Sequence, residues 1–292
     1  MIPAQISAAE AAARGALQRY VTALREGLPA DVMAVLLTGS LATGSYLPGR
    51  DIDQVTILRD DAPAGVEQAA AAALSASLAG DYVVHVAPII YRRGQLERPW
   101  CTEWDLRAES RHLVTVPEEL LRLHDHGQTI FGRLDIAALP LPTREEILAY
   151  QQRWQEWNRR YQSIHPEYTA VVEDPSVRVA VQILLSNATW HYYYATGHTC
   201  FNKHAVGERL RAEVPGYRHL KAVALATAIR RAGFEGTPEE HDALKQSVAD
   251  LRAWGRAHAI GDVPRGEDAD RSSADGLANQ IAAHVSTEGV DT

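Results

Sequence analysis

Apolar positions change their spacing twice along the chain. Near the start, Leu17, Val21 and Leu24 recur at helical intervals in an Ala-rich stretch, which predicts a helix over Ser7–Arg25. Ser7 followed by Glu10 has the spacing of a capping box. Short apolar runs come next. Val32–Leu37 and Asp53–Leu58 predict two strands paired with each other, and Ala64–Leu78 predicts a second Ala-rich helix. Tyr82–Tyr91 predicts a third strand, in which Pro88 makes the far end an edge or a bulge. His112–Val116 reads as a fourth strand, Pro117–His124 as a short helix and Thr129–Gly132 as a last short strand.

Two prolines mark Leu139–Thr143 as the linker, and beyond it the helical period returns. Helices are predicted over Arg144–Gln162, Pro175–Ala195, Lys203–Glu213, Tyr217–Ala232 and Pro238–His258, punctuated by Gly197, Pro215-Gly216 and Gly233. After Gly261 the chain is polar and charged, as in a flexible tail, with room for a short helix at Ala278–Val285. The pattern predicts an α/β (α+β) domain with a mixed sheet over residues 1–137. An all-helical domain over 143–260 and a tail over 261–292 follow. Ligands of two-part enzymes usually sit in the cleft between the parts.

Composition narrows the function classes. The 292 residues are 46% apolar and 23% charged, as in a soluble globular protein. A net charge of −8 and no basic run speak against a dedicated nucleic-acid binder and suit a cationic small molecule. Cys101 and Cys200 lie far apart; free thiols in a reducing compartment are expected, with a disulfide left open. The first residues lack the charged and apolar regions of a secretory signal, and no run is long enough to span a bilayer. A cytoplasmic protein is expected.

The densest chemistry lies in VLLTGSLATGSYLPGRDIDQVTIL, residues 35–58. Period-two geometry puts Asp51 and Asp53 on one face of an extended segment and turns Ile52 into a core. Adjacent carboxylates repel unless a cation sits between them, and Mg²⁺ accepts one or two carboxylates plus phosphate oxygens. Gly39 lets backbone approach a phosphate, and Ser40 offers it a hydroxyl and an N–H. Asp51 and Asp53 are therefore candidate metal ligands, and Gly39 and Ser40 a candidate phosphate cradle.

Strand, Gly-Ser, a loop of about ten residues and Asp-x-Asp together resemble the signature of the polymerase-β-type nucleotidyltransferase superfamily. The resemblance implies nucleotidyl transfer: a hydroxyl attacks the α-phosphate of a nucleoside triphosphate and pyrophosphate leaves. It also implies a third carboxylate on a neighbouring strand. His85, in VVHVAP, stands at that place. Three readings remain: His85 is the base, Glu103 or Asp105 takes the role, or activity is reduced or lost.

The segment HYYYATGHTCFNKHAVGERLRAEVPGY resembles one in the aminoglycoside adenylyltransferases that modify streptomycin and spectinomycin. Thr196, Gly197, Asn202, Lys203 and Ala205 carry the likeness, which gives Lys203 a contact with the nucleotide phosphates. A lysine opening a helix is unfavourable to the helix dipole, so a structural reason for it is less natural. The spacing is one residue longer than in that family, and Thr189 stands where the family has an arginine.

CTEWDLRAES falls where those enzymes line their acceptor site, so Glu103, Trp104 and Asp105 are candidate acceptor contacts. The aromatic run Trp190–Tyr194 is expected to be mostly interdomain core, with a tyrosine or His191 reaching the cleft. Glu173 and Asp174, ahead of a helix capped near Ser176, either add negative charge for a cationic acceptor or serve the helix start. The expected protein is a Mg²⁺-dependent enzyme moving AMP from ATP to a hydroxyl of a small cationic acceptor, with an aminoglycoside-type antibiotic as first candidate. A silent nucleotide-binding homologue, and an adenylyltransferase acting on protein or RNA, are the alternatives.

Overall fold

The computed structural model describes residues 3–48, 51–78, 89–100, 116–164 and 175–265. Four strands form one mixed sheet in the order β3-β2-β1-β4: β1 (Val32–Leu37), β2 (Gln54–Leu58), β3 (Ile89–Arg92) and β4 (Gln128–Gly132). β1 pairs antiparallel with both β2 and β4, and β2 pairs parallel with β3.

Side-chain alternation decides what each face holds. Val35 and Leu37 pack with Leu17, Tyr20 and Leu24 of α1 (Pro3–Gly27) and with Ala70 and Leu74 of α3 (Val66–Leu78). Ala34, Leu36, Val55 and Ile57 face Val116, Leu120 and Leu123 of α4 (Val116–His126). Helices cover both faces, so all five residues of β2 are buried. The buried Thr56 hydroxyl is satisfied by Tyr20 Oη at 2.7 Å and by donating to Gln54 Oε1. A four-residue helix, α2 (Gly39–Ala42), follows β1 directly.

The remaining helices are α5 (Arg144–Ile164), α6 (Val177–Thr196), α7 (Val206–Glu213), α8 (Leu220–Arg231) and α9 (Pro238–Ala257). α6 packs against α7, α8 and α9 around Leu184, Leu185, Val206, Val223, Ile229 and Leu244. Leu121 of α4, Ile147 of α5 and Tyr193 and Tyr194 of α6 form a smaller apolar cluster that joins the two halves.

Some elements differ from the sequence expectation. α1 begins at Pro3, so Ser7 lies inside the helix rather than capping it. Ser176 does cap α6, accepting from the Val179 N–H at 3.4 Å. α7 begins at Val206, not Lys203; Lys203 belongs to the turn that leads into it. The third strand is described only over Ile89–Arg92, and Val116, expected in a fourth strand, opens α4. Cys200 is a buried free thiol. No helix among the described residues is long and apolar enough to cross a membrane.

Candidate active site

The β1–β2 ladder brings the two parts of the Gly-Ser/Asp-x-Asp stretch together. Leu37 pairs with Gln54, and one step on the Thr38 N–H donates to the Asp53 carbonyl at 3.0 Å. Gly39 thereby comes to rest against Asp53. Its φ is +67°, and a Cβ there would lie 1.8 Å from Asp53 Oδ2. Only glycine fits, on conformational and steric grounds alike. Ile52 is 1% exposed and packs in the α1–α3 core, while Asp51 and Asp53 on either side of it line one cleft with Ser40. The period-two reading of this segment holds.

The cleft measures about 230 Å³. Besides this corner it is lined by Glu118, Arg122 and His126 of α4, by Gln182, Thr189 and Trp190 of α6, by Phe201 and Lys203 of the following turn, and by Arg230 of α8. Three carboxylates thus meet three bases.

α4 contributes groups the sequence did not flag. Glu118 is paired with Arg122 and accepts from Tyr150 Oη at 3.0 Å. Burial opposes the Arg122 charge, but Glu118, Glu119 and Asp53 together outweigh it and hold the guanidinium above its ordinary pKa. Glu119 is 4% exposed, and burial pushes its carboxyl up to about 7 against the pull of Arg122. His126 Nε2 accepts the Gly39 N–H at 2.9 Å, so the ring proton sits on Nδ1, 3.0 Å from Asp125 Oδ2. The amide of Gly39 is therefore engaged by a side chain, and the space the glycine frees is taken by Asp53.

On the helical side, Lys203 Nζ donates to Gln182 Oε1 at 2.7 Å and faces the same cleft as the aspartates. Thr189 turns its hydroxyl back to the Leu185 carbonyl at 3.1 Å. A buried cation comes from α8: Arg230, 1% exposed, lines the cleft and donates to the Ser45 carbonyl at 2.9 Å. Burial and the charges of Arg230 and Arg231 push the neighbouring His204 down to about 4.

Of the aromatic run, Trp190 is the member that reaches the cleft, edge-on to Phe201 with ring centres 6.0 Å apart. No tyrosine of the run, and not His191, is among the lining residues. His191 packs instead against Tyr217 and Trp254. His85, Glu103, Trp104, Asp105, Glu173 and Asp174 lie outside the described residues.

The donor set suits Mg²⁺: Asp51, Asp53 and Ser40 offer oxygen donors on one wall, and among the described residues no thiol lines the cleft beside them. Among the described residues no group of three or more His, Cys, Asp or Glu is placed to hold a metal ion alone. Mg²⁺ commonly takes one or two protein carboxylates together with phosphate oxygens and water.

No family model and no curated protein matches the sequence. Among solved structures, the chain is similar to spectinomycin adenyltransferase AAD(9) from Enterococcus faecialis, solved with ATP and spectinomycin. The TM-score is 0.54 at 12% identity, over 82% of this chain and 98% of that one. A toxin-antitoxin structure with AMP-PNP aligns over 54% of this chain and 95% of its own, at 16% identity. Its TM-score of 0.24 carries no argument. The first likeness shows the architecture: this chain shares the fold of that structure, a mixed sheet followed by a mostly helical half.

Proposed function

We propose that the protein is a Mg²⁺-dependent nucleotidyltransferase that moves AMP from ATP to a hydroxyl of a small cationic acceptor, an aminoglycoside-type antibiotic first among them. One observation carries the reading: Asp51, Asp53 and Ser40 meet three basic side chains in a single cleft between the two halves. That is the charge pattern a metal-bound triphosphate requires. The similar enzyme is named for adenylyl transfer to spectinomycin and was solved with ATP, which favours ATP and an antibiotic over other choices.

Asp51 and Asp53 hold the metal in this reading. When bound, Mg²⁺ supplies stabilisation of negative charge on the phosphoryl oxygens. Ser40 and the Gly39 corner form the phosphate cradle, Gly39 by leaving Asp53 room. Lys203 and Arg230 neutralise the triphosphate from the helical wall, and Arg230 supplies the positive charge that Thr189 cannot. His85 or Glu103 takes the proton of the attacking hydroxyl, and Trp104 and Asp105 meet the acceptor. The aromatic faces of Trp190 and Phe201 and the carboxylate of Glu118 add features that attract a cationic ring. The working division is an α/β domain over 1–137, a helical domain over 143–260 and a tail over 261–292, in a cytoplasmic protein.

Calorimetry of ATP·Mg²⁺ binding and a pyrophosphate-release assay over a panel of aminoglycosides and aminocyclitols test this. The expected result is acceptor-dependent release that Asp53→Asn lowers by about 100- to 1,000-fold, the scale of a lost charge-stabilising group in a transition state. ATP binding without release for any acceptor would favour a silent nucleotide-binding protein.

A further inference from the structure

A continuous chain of hydrogen bonds links the helical half to the glycine corner. Thr199 Oγ1 donates to Asp125 Oδ1 at 2.7 Å, and the Phe201 N–H donates to Asp125 Oδ2 at 3.4 Å. His126 Nδ1 donates to the same Oδ2 at 3.0 Å, and its Nε2 accepts the Gly39 N–H at 2.9 Å. Phe201 lies against the imidazole, ring centres 5.9 Å apart, and the Arg122 guanidinium sits over the Phe201 ring at 5.6 Å. Two residues at the C-terminal end of α4 thus grip both sides of the cleft. One grip is on the turn that carries Lys203 and the other on the amide beside Asp53. Burial raises the Asp125 carboxyl, but hydrogen bonds from His126 and Thr199 outweigh it and hold the group below the usual carboxylate range.

A capping interaction for α2 needs only an acceptor at the Gly39 N–H. It does not need that acceptor to be tied through a carboxylate to a turn on the opposite wall. We propose that Asp125 and His126 are positioning residues, a strut that fixes the Lys203 turn at a set distance from the Gly39–Asp53 corner and so sets triphosphate affinity. The proposal rests on the nucleotidyltransferase reading for its ligand; the mechanical part does not. The strut holds the turn in place before ligand arrives, so its loss appears in ATP binding and KM more than in kcat.

The test uses Thr199→Val, a half-buried change that removes one bond and leaves the fold intact, with His126→Leu and His126→Gln beside it. Hydrogen exchange over residues 38–43 and calorimetry with ATP·Mg²⁺ are the readouts. Thr199→Val, although across the cleft, should speed exchange over 38–43. It should also weaken ATP·Mg²⁺ roughly tenfold, about the loss of one charge-assisted hydrogen bond. His126→Leu should do more, and His126→Gln, whose Oε1 can still accept from Gly39, should recover much of the difference. In a Lys203→Ala background Thr199→Val should add nothing to the loss of affinity. Unchanged exchange over 38–43, or losses that multiply in the double variant, would overturn the strut. Failure of the unaltered protein to bind ATP·Mg²⁺ would sink the proposed function instead, and the exchange result alone would then decide for or against the mechanical link.

Discussion

On the α/β wall of the cleft, Gly39, Ser40, Asp51 and Asp53 come from one stretch of chain, folded back on itself by a single strand pairing. On the helical wall, Gln182 and Trp190 come from α6, Lys203 from a turn and Arg230 from α8. The first wall is a local motif, so its spacing is a property of the sequence. The second is assembled by helix packing: Lys203 stands in a segment with a likeness of its own, but no spacing along the chain announces Arg230. A cleft of this kind combines a part that must be written contiguously, because two acids and a glycine have to touch, with a part in which any helix able to present a cation will serve.

Three substitutions sharpen that contrast. The largest effect is expected at Gly39→Ala. A methyl group would stand 1.8 Å from Asp53 Oδ2 at a φ of +67°, so the carboxylate must move. Left-handed backbone costs alanine about 1 kcal/mol, and a displacement of about 1 Å at reacting groups costs about 100-fold in rate. Thermal melts and pyrophosphate release should both record it. A variant with full activity would break the claim that the α/β wall tolerates no change of spacing.

The next effect is at Arg230→Gln. It should weaken ATP·Mg²⁺ by roughly 10- to 100-fold in calorimetry, about 1.5–3 kcal/mol for a lost charged hydrogen-bond partner, and leave AMP binding nearly unchanged. Equal losses for ATP and AMP would mean that Arg230 only docks the helical wall.

The smallest effect concerns Glu119, buried on α4 beside Arg122. Its carboxyl is raised from 4.5 to about 7 by burial, so the folded chain keeps a proton that the unfolded chain has shed. Its contribution is complete below about pH 4.5 and is lost as pH rises toward 7, at up to about 1.4 kcal/mol per pH unit. Urea midpoints of wild type and Glu119→Gln should therefore diverge, with the variant gaining relative stability at the alkaline end. Parallel curves would show that Glu119 is ionised throughout.

The sequence made the first wall readable because strand alternation and glycine chemistry act over neighbouring residues. Ile52 points inward and its two aspartates outward, as period two requires. The helices were readable to within a few residues, except where caps misled: Ser7 has the spacing of a capping box, yet α1 runs on to Pro3. Arg230 gave no signal, because a buried arginine on an amphipathic helix looks like any basic residue until its neighbours are known. His126 was hidden for a related reason. It read as one of several polar residues after a short helix, and its partner Gly39 lies 87 positions away.

Arg230 holds Ser45 by its carbonyl, and Asn202 holds Thr43 the same way at 3.1 Å. At these two points the joint is lettered on one side and blank on the other: specific side chains dock onto peptide groups that every amino acid shares. Tolerance to substitution at this seam would be lopsided, with positions 43 and 45 freer to vary for docking than 202 and 230.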